Sequence, residues 1–301
     1  MNKPQDFDQY WKKVEDELAS IQPAVERTEL HLRSAPEAKV YGLKLTSLDH
    51  YRIFAYFCVP SGKGPFPVIY RLPNYGSVVH IPPFEERCKY ISVALCHRGQ
   101  RLSDQPFAAK YPGLLTSGID SKQNYIYRSI VADCLRVMDY LVSCDDVDSQ
   151  KISLVGGDLA LFTAALRDSA SVLFYTPSLF YKALHKATAT QNYPLEEFND
   201  YLREYPDRKE RVAETLEYFN LRWHAQAVTV PTLLMAEHEN GLYSADKLTN
   251  LVEDIAGEVS IHESERSSYK DGIFLERWIT ERSLGPSAIP ILPTHWTNKS
   301  S

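Results

Sequence analysis

The chain has 301 residues, 44% of them hydrophobic and 24% charged, the balance of a globular protein able to bury a sizeable core in one large domain or two small ones. Its net charge of -6 argues against nucleic acid or an anionic membrane as the main partner. No window approaches the roughly 20 apolar residues that span a bilayer. The polar N-terminus lacks a signal-peptide core, and five cysteines are scattered without CxxC spacing, so a reduced cytoplasmic protein without a zinc site or disulfide framework is expected.

In chain order, an amphipathic helix is predicted from about Phe7 to Ser20. "VYGLKLTS" and "YRIFAYFCVP" then alternate apolar and polar residues as half-buried strands do, and "PSGKGPFP" marks a turn. Next come short apolar runs, "PVIYRL", "YISVALC", "KISLVG", "SVLFYT" and "PTLLMAE", of the kind buried on both faces of a parallel sheet. A helix lies among them, with Ile126, Ile130, Val131, Leu135, Met138 and Leu141 on its apolar stripe. Such alternation predicts an α/β fold with a mostly parallel, doubly wound sheet. Residues 178–221 interrupt it with helical segments rich in Tyr, Glu and Arg, a lid-like insertion whose charges read as solvated helix faces. The last residues, 284–301, are broken by prolines and read as a C-terminal arm, with Ile289, Ile291, Leu292 and Trp296 available for packing.

The stretch "LVGGDLAL" is a strand-to-helix elbow of the type that presents a nucleophile, and its tip is Asp158. Around it, several motifs resemble the acetyl xylan esterase and cephalosporin C deacetylase family of α/β-hydrolases. "DFDQYWKK" resembles the family's opening helix, "PVIYRLPNYG" its strand and oxyanion loop, and "CHRGQRLSD" its Arg-Gly-Gln-Gly-x-Ser signature. "GLLTSGIDSKQNYIYRSIVADCLRVMDYLVSCDDVDSQKISLVGG" follows the family pattern up to the elbow. The resemblance runs over almost the whole length. It implies one α/β-hydrolase domain over residues 1–301, no cofactor, an acetylated sugar or small ester as ligand, and a ring-shaped homo-hexamer.

The triad the resemblance implies is substituted. The family elbow, Gly-Gly-Ser-Gln-Gly-Gly, places Asp158 at the serine and Leu159 at the glutamine. The family aspartate corresponds to His238, flanked by Glu237 and Glu239, and the family histidine to Ser267. His262 falls five residues early, inside a predicted strand. Tyr75 and Leu159 match residues whose backbone N–H groups form the oxyanion hole, and Arg98 and Gln100 match the Arg-Gly-Gln signature.

Two readings of Asp158 follow. As a nucleophile it would form an ester that needs a histidine-activated water, supplied only if His238 or His262 stands in. As a structural residue it would tolerate the positive φ of an elbow tip and cap the following helix, which explains it more economically. His238 is either an ordinary loop histidine or, with Glu237, part of a rearranged acid–base site facing Asp158. Arg98 is expected in a buried ion pair that holds loops together, with substrate contact as the alternative. The expectation is a catalytically impaired or inactive homologue. The alternatives are an Asp158-dependent hydrolase and a non-catalytic ligand-binding or assembly protein.

Overall fold

The computed structural model describes residues 2–291. Helix α1 (Phe7–Ser20) forms where the apolar period is 3.6, and it buries Phe7, Tyr10, Trp11, Val14 and Leu18 along one stripe. Strands β1 (Glu26–Glu29), β2 (Ala38–Thr46) and β3 (Arg52–Pro60) pair antiparallel in sequence. Strand β1 reads Glu-Arg-Thr-Glu and has no apolar residue, so hydrophobic patterning does not find it. It lies at the sheet edge, where pairing with β2 alone suffices.

The remaining elements alternate. They are β4 (Phe66–Arg71), α2 (Phe84–Arg87), β5 (Ile91–Cys96), α3 (Ile126–Val142), β6 (Val147–Gly156), α4 (Asp158–Leu166) and β7 (Val172–Tyr175). Helices α5 (Ala183–Ala187), α6 (Glu196–Glu204), α7 (Lys209–Glu217) and α8 (Leu221–Ala225) follow before β8 (Thr232–Ala236), α9 (Thr249–Asp254), β9 (Val259–Glu263) and α10 (Ser268–Leu284). The sheet order is β1-β2-β3-β5-β4-β6-β7-β8-β9; β3 meets β5 antiparallel, and every pairing from β5 to β9 is parallel.

The parallel strands are apolar on both faces because both are covered. Val68, Tyr70, Leu154, Leu173, Tyr175 and Leu234 point into the large core shared with α1, α3, α4 and α8. Their sequence neighbours Ile69, Val155, Phe174 and Leu233 point the other way, against Leu275, Trp278 and Ile279 of α10. Each such side chain contributes about 1.5–3 kcal/mol by leaving water.

The insertion differs from expectation in one respect. Its charges are not all on solvated faces, since Lys186 and Glu197 are buried. At the C-terminus, Ile291 packs on the α10 side and its N–H donates to Glu276 at 3.0 Å. Leu292 and Trp296 lie outside the described residues. Among the described residues, no helix is long and apolar enough to cross a membrane.

Candidate active site

Strand β6 ends at Gly156, which the backbone of the neighbouring loop approaches closely, and Gly157 follows under the Asn74 side chain. A Cβ on Gly156 would lie 2.8 Å from the Leu72 carbonyl oxygen, and one on Gly157 would lie 2.7 Å from Asn74 Oδ1. The chain can therefore turn tightly beneath the loop after β4 and start α4 at Asp158. Asp158 is the first helical residue and does not have a positive φ, contrary to expectation for an elbow tip. Nor does its carboxylate cap α4.

It turns instead toward the loop after β7. Oδ1 accepts the Ser178 N–H at 3.1 Å and the Tyr175 hydroxyl at 3.2 Å; Oδ2 accepts the N–H groups of Leu179 at 2.6 Å and Phe180 at 2.9 Å. A carboxylate offers about four lone-pair sites, and here four donors fill them. Burial pushes the carboxyl above its ordinary range, while the hydrogen bonds from Phe180, Leu179, Ser178 and Tyr175 pull the other way. Asp158 is thus the anchor of the 176–180 loop, which folds across the elbow.

The strand ends do enclose a cavity, of about 390 Å³, between that loop, Asn74, Tyr75, residues 192–195, Glu237 and Tyr243. Ligands of open α/β sheets bind at this end of the strands. Ser178 and Leu179 line the cavity; Asp158 and Leu159 do not. Leu159 is buried within α4, so only Tyr75 of the two expected oxyanion-hole residues borders the space.

The other expected residues are dispersed. His238 is exposed, with Nδ1 3.3 Å from the Glu239 carbonyl, and it does not face Asp158. Glu237 reaches the cavity, but its carboxylate accepts the Tyr243 N–H at 3.0 Å. Tyr243 is buried near both carboxylates: its hydroxyl donates to the Ser178 carbonyl, and burial, Asp158 and Glu237 all hold its proton on. His262 lies on the edge strand β9, 2.9 Å from Asp271 and stacked on Phe274 at 4.1 Å. Ser267 caps α10 by accepting the Lys270 N–H at 3.3 Å.

Arg98 and Gln100 stay on the protein's side of the wall. Arg98 is held bidentately by Asp133, at 3.0 and 2.8 Å, and also meets Asp49 at 3.2 Å and the Leu48 carbonyl at 2.9 Å. These contacts match the ion-pair reading. Gln100 accepts the His97 N–H at 3.2 Å and donates to the Ser77 carbonyl at 3.4 Å, bracing the loop that carries Tyr75.

Sequence reasoning missed Glu197. The Tyr75 hydroxyl donates to it, and its second oxygen accepts the N–H groups of Gly113 at 2.8 Å and Leu115 at 3.2 Å. Burial raises its carboxyl pKa against these bonds. Helix α6 is thereby tied to the loop after β4. The only signal was a glutamate pair in the first turn of a predicted helix.

A mostly parallel sheet with an elbow after β6, helices on both faces and a helical excursion before β8 defines the α/β-hydrolase fold. Solved structures agree. An acetyl xylan esterase from Paenibacillus sp. R4 superposes with a TM-score of 0.82 at 19% identity, covering 94% of this chain and 96% of that one. Acetyl xylan esterase 1 from Thermoanaerobacterium sp. JW/SL YS485 gives 0.80 at 20% identity, covering 95% of each. The acetyl xylan esterase (AXE1) family model matches residues 1–242, and the chain belongs to that family. It is also similar to acetyl esterase Axe7A of Xylanibacter ruminicola, 27% identical over 249 residues, which are 77% of this chain. The chain spans about half (55%) the length of that relative.

Proposed function

We propose that this chain keeps the acetyl xylan esterase fold without its hydrolytic turnover, and that the cavity at the strand ends binds a small acetylated sugar or ester without cleaving it. The observation that carries this reading is the saturation of Asp158. An attacking oxygen needs a free lone pair directed at the substrate carbonyl, and the Asp158 oxygens are filled by Tyr175, Ser178, Leu179 and Phe180 and sit outside the cavity. Neither candidate histidine among the described residues serves as a water-activating base at the elbow: His238 is bonded to its own loop, and His262 is held by Asp271. The ligand class comes from the family and from the names of its relatives.

The experiment is hydrolysis of 4-nitrophenyl acetate and of an acetylated xylo-oligosaccharide by the wild-type chain, beside Asp158→Ala and a heat-denatured control. The expected rate of the folded chain equals that of the denatured control. Turnover at an ordinary enzyme rate, abolished in Asp158→Ala, would overturn the proposal and make the aspartate a nucleophile or base. Replacing Asp158 with Ser is expected to leave the rate at background, because among the described residues no histidine is bonded at the elbow.

A further inference from the structure

A second cavity, of about 280 Å³, lies between α5 and the 245–250 segment leading into α9. Lys182, Lys186 and Lys247 all line it, in a protein whose overall charge is negative. Among the described residues none of the three lies within ion-pair distance of a carboxylate. The one acidic side chain in the wall, Asp246, accepts the Ser244 hydroxyl. The wall itself carries three ammonium groups against one carboxylate; with Glu237, which also acts on Lys186 from outside the wall, the balance remains positive.

Lys186 is the centre of the arrangement. Only 6% of it is exposed, and its ammonium donates to the Leu242 carbonyl while lying 4.1 Å from the Tyr243 ring centroid and 5.4 Å from that of Tyr181. One carbonyl and two ring faces do not neutralise a buried cation, and an ammonium has three N–H donors to place. Burial, Lys247 and Lys182 together push its pKa down to about 8. Lys182, at the start of α5, adopts a left-handed backbone with φ 53°, a conformation that side-chain-bearing residues occupy at a cost and that clusters at ligand clamps. Tyr181, also in the wall, has a buried hydroxyl with no hydrogen-bond partner among the described residues.

We propose that this cavity is a binding site for a phosphate dianion, held by Lys182, Lys186 and Lys247. A phosphate anion suits this positive wall, and lysine binds phosphate as a point charge without the planar fork that guanidinium needs. The volume is at the small end for ligand pockets, which suits free phosphate or the phosphate group of a small monoester. The site is separate from the candidate active site, though Leu242 borders both cavities.

The test is calorimetric titration of the full chain at constant ionic strength with inorganic phosphate and with glycerol 3-phosphate. It is repeated on the double variant Lys182→Gln/Lys247→Gln, whose two positions are exposed and whose fold is checked by circular dichroism. Saturable binding that becomes at least about tenfold weaker in the folded variant is expected. Equal affinity for the two probes identifies free phosphate as sufficient, and tighter binding of the monoester identifies a phosphorylated small molecule. Absence of saturable binding for both probes, or unchanged affinity in the variant, overturns the proposal.

Discussion

Asp158 and Lys186 are both buried charges, and they are treated in opposite ways. The aspartate receives four hydrogen bonds, three from one loop and one from the Tyr175 hydroxyl at the end of β7, and has no lone pair to spare. The lysine receives one carbonyl and two ring faces, and its charged neighbours include two further lysines. A buried charge whose partners are complete is part of the scaffold, because moving it would strand donors as well as the ion. A buried charge whose partners are incomplete is a cost the fold carries, and an arriving ligand can relieve it. The incompletely partnered charge thus lies away from the elbow, where the sequence motif points, on a helix that no motif marks.

The largest effect is expected from breaking the saturated site. Asp158→Ala strands the Tyr175 hydroxyl and three loop N–H groups in the interior, and unsatisfied buried donors cost about 1–3 kcal/mol each before relaxation and water entry. A net loss of about 3–5 kcal/mol in urea unfolding is expected, with the m-value unchanged. Asp158→Asn keeps acceptor capacity on one oxygen and is expected to lose less. Wild-type stability in Asp158→Ala would show that the loop does not depend on this carboxylate.

The next effect comes from buried bases that, unlike Lys186, are kept neutral. His97 is fully buried, with Nδ1 2.7 Å from the Arg98 carbonyl, and burial holds its pKa down to about 4. His224 sits among Phe7, Trp11 and Phe162, with Nε2 3.1 Å from the Tyr218 carbonyl, and burial holds its pKa down to about 3. Unfolded histidines take up protons near pH 6.5. Below that pH the unfolded chain therefore binds more protons than the folded one, and stability falls as the pH drops from 6.5 toward 4 and 3. Across its full window His97 contributes of the order of 3 kcal/mol and His224 of the order of 5 kcal/mol. Unfolding midpoints measured from pH 6.5 to 4.5 are expected to fall steeply in the wild type and less steeply in His224→Leu. Parallel slopes would mean that His224 is not held neutral.

Most of the fold is legible in the sequence, because hydrophobic period reports which faces are buried. The runs at 67–72, 90–96, 151–156, 171–176 and 231–237 correspond to β4 through β8, and the 3.6-residue stripe from Ile126 to Leu141 corresponds to α3. Strand β1 escapes because edge pairing needs no apolar residue. The site is legible in part. The elbow, its glycine pair and the ion pair of Arg98 follow from local motifs and residue type. The orientation of Asp158 does not, since the donors that capture it lie 17–22 residues ahead, three of them backbone groups with no signature of their own. For the same reason Glu237 and His238 look equivalent as sequence neighbours, and both are exposed, whereas only Glu237 borders the cavity. Lys186 is hidden by its helix, where a buried lysine and a solvated one read alike.

The smallest change in stability is expected where the partners are incomplete, and its sign is informative. Lys182→Gln/Lys247→Gln removes two charges that repel Lys186 and breaks no ion pair among the described residues, so the melting temperature is expected to stay within about 2 °C or to rise slightly. Lys186 itself reports the change. The groups acting on its ammonium are Lys247, Lys182, Glu237 and Asp246, beside the neutral rings of Tyr181 and Tyr243. With the two lysines gone only burial still lowers its pKa, while the two carboxylates raise it, so it is expected to move from about 8 back toward the ordinary lysine range. The pH dependence of acylation at Lys186, followed by peptide mass mapping, measures this. An upward shift without loss of stability separates a cavity of opposing cations from an ordinary buried lysine, whose pKa would be indifferent to both substitutions.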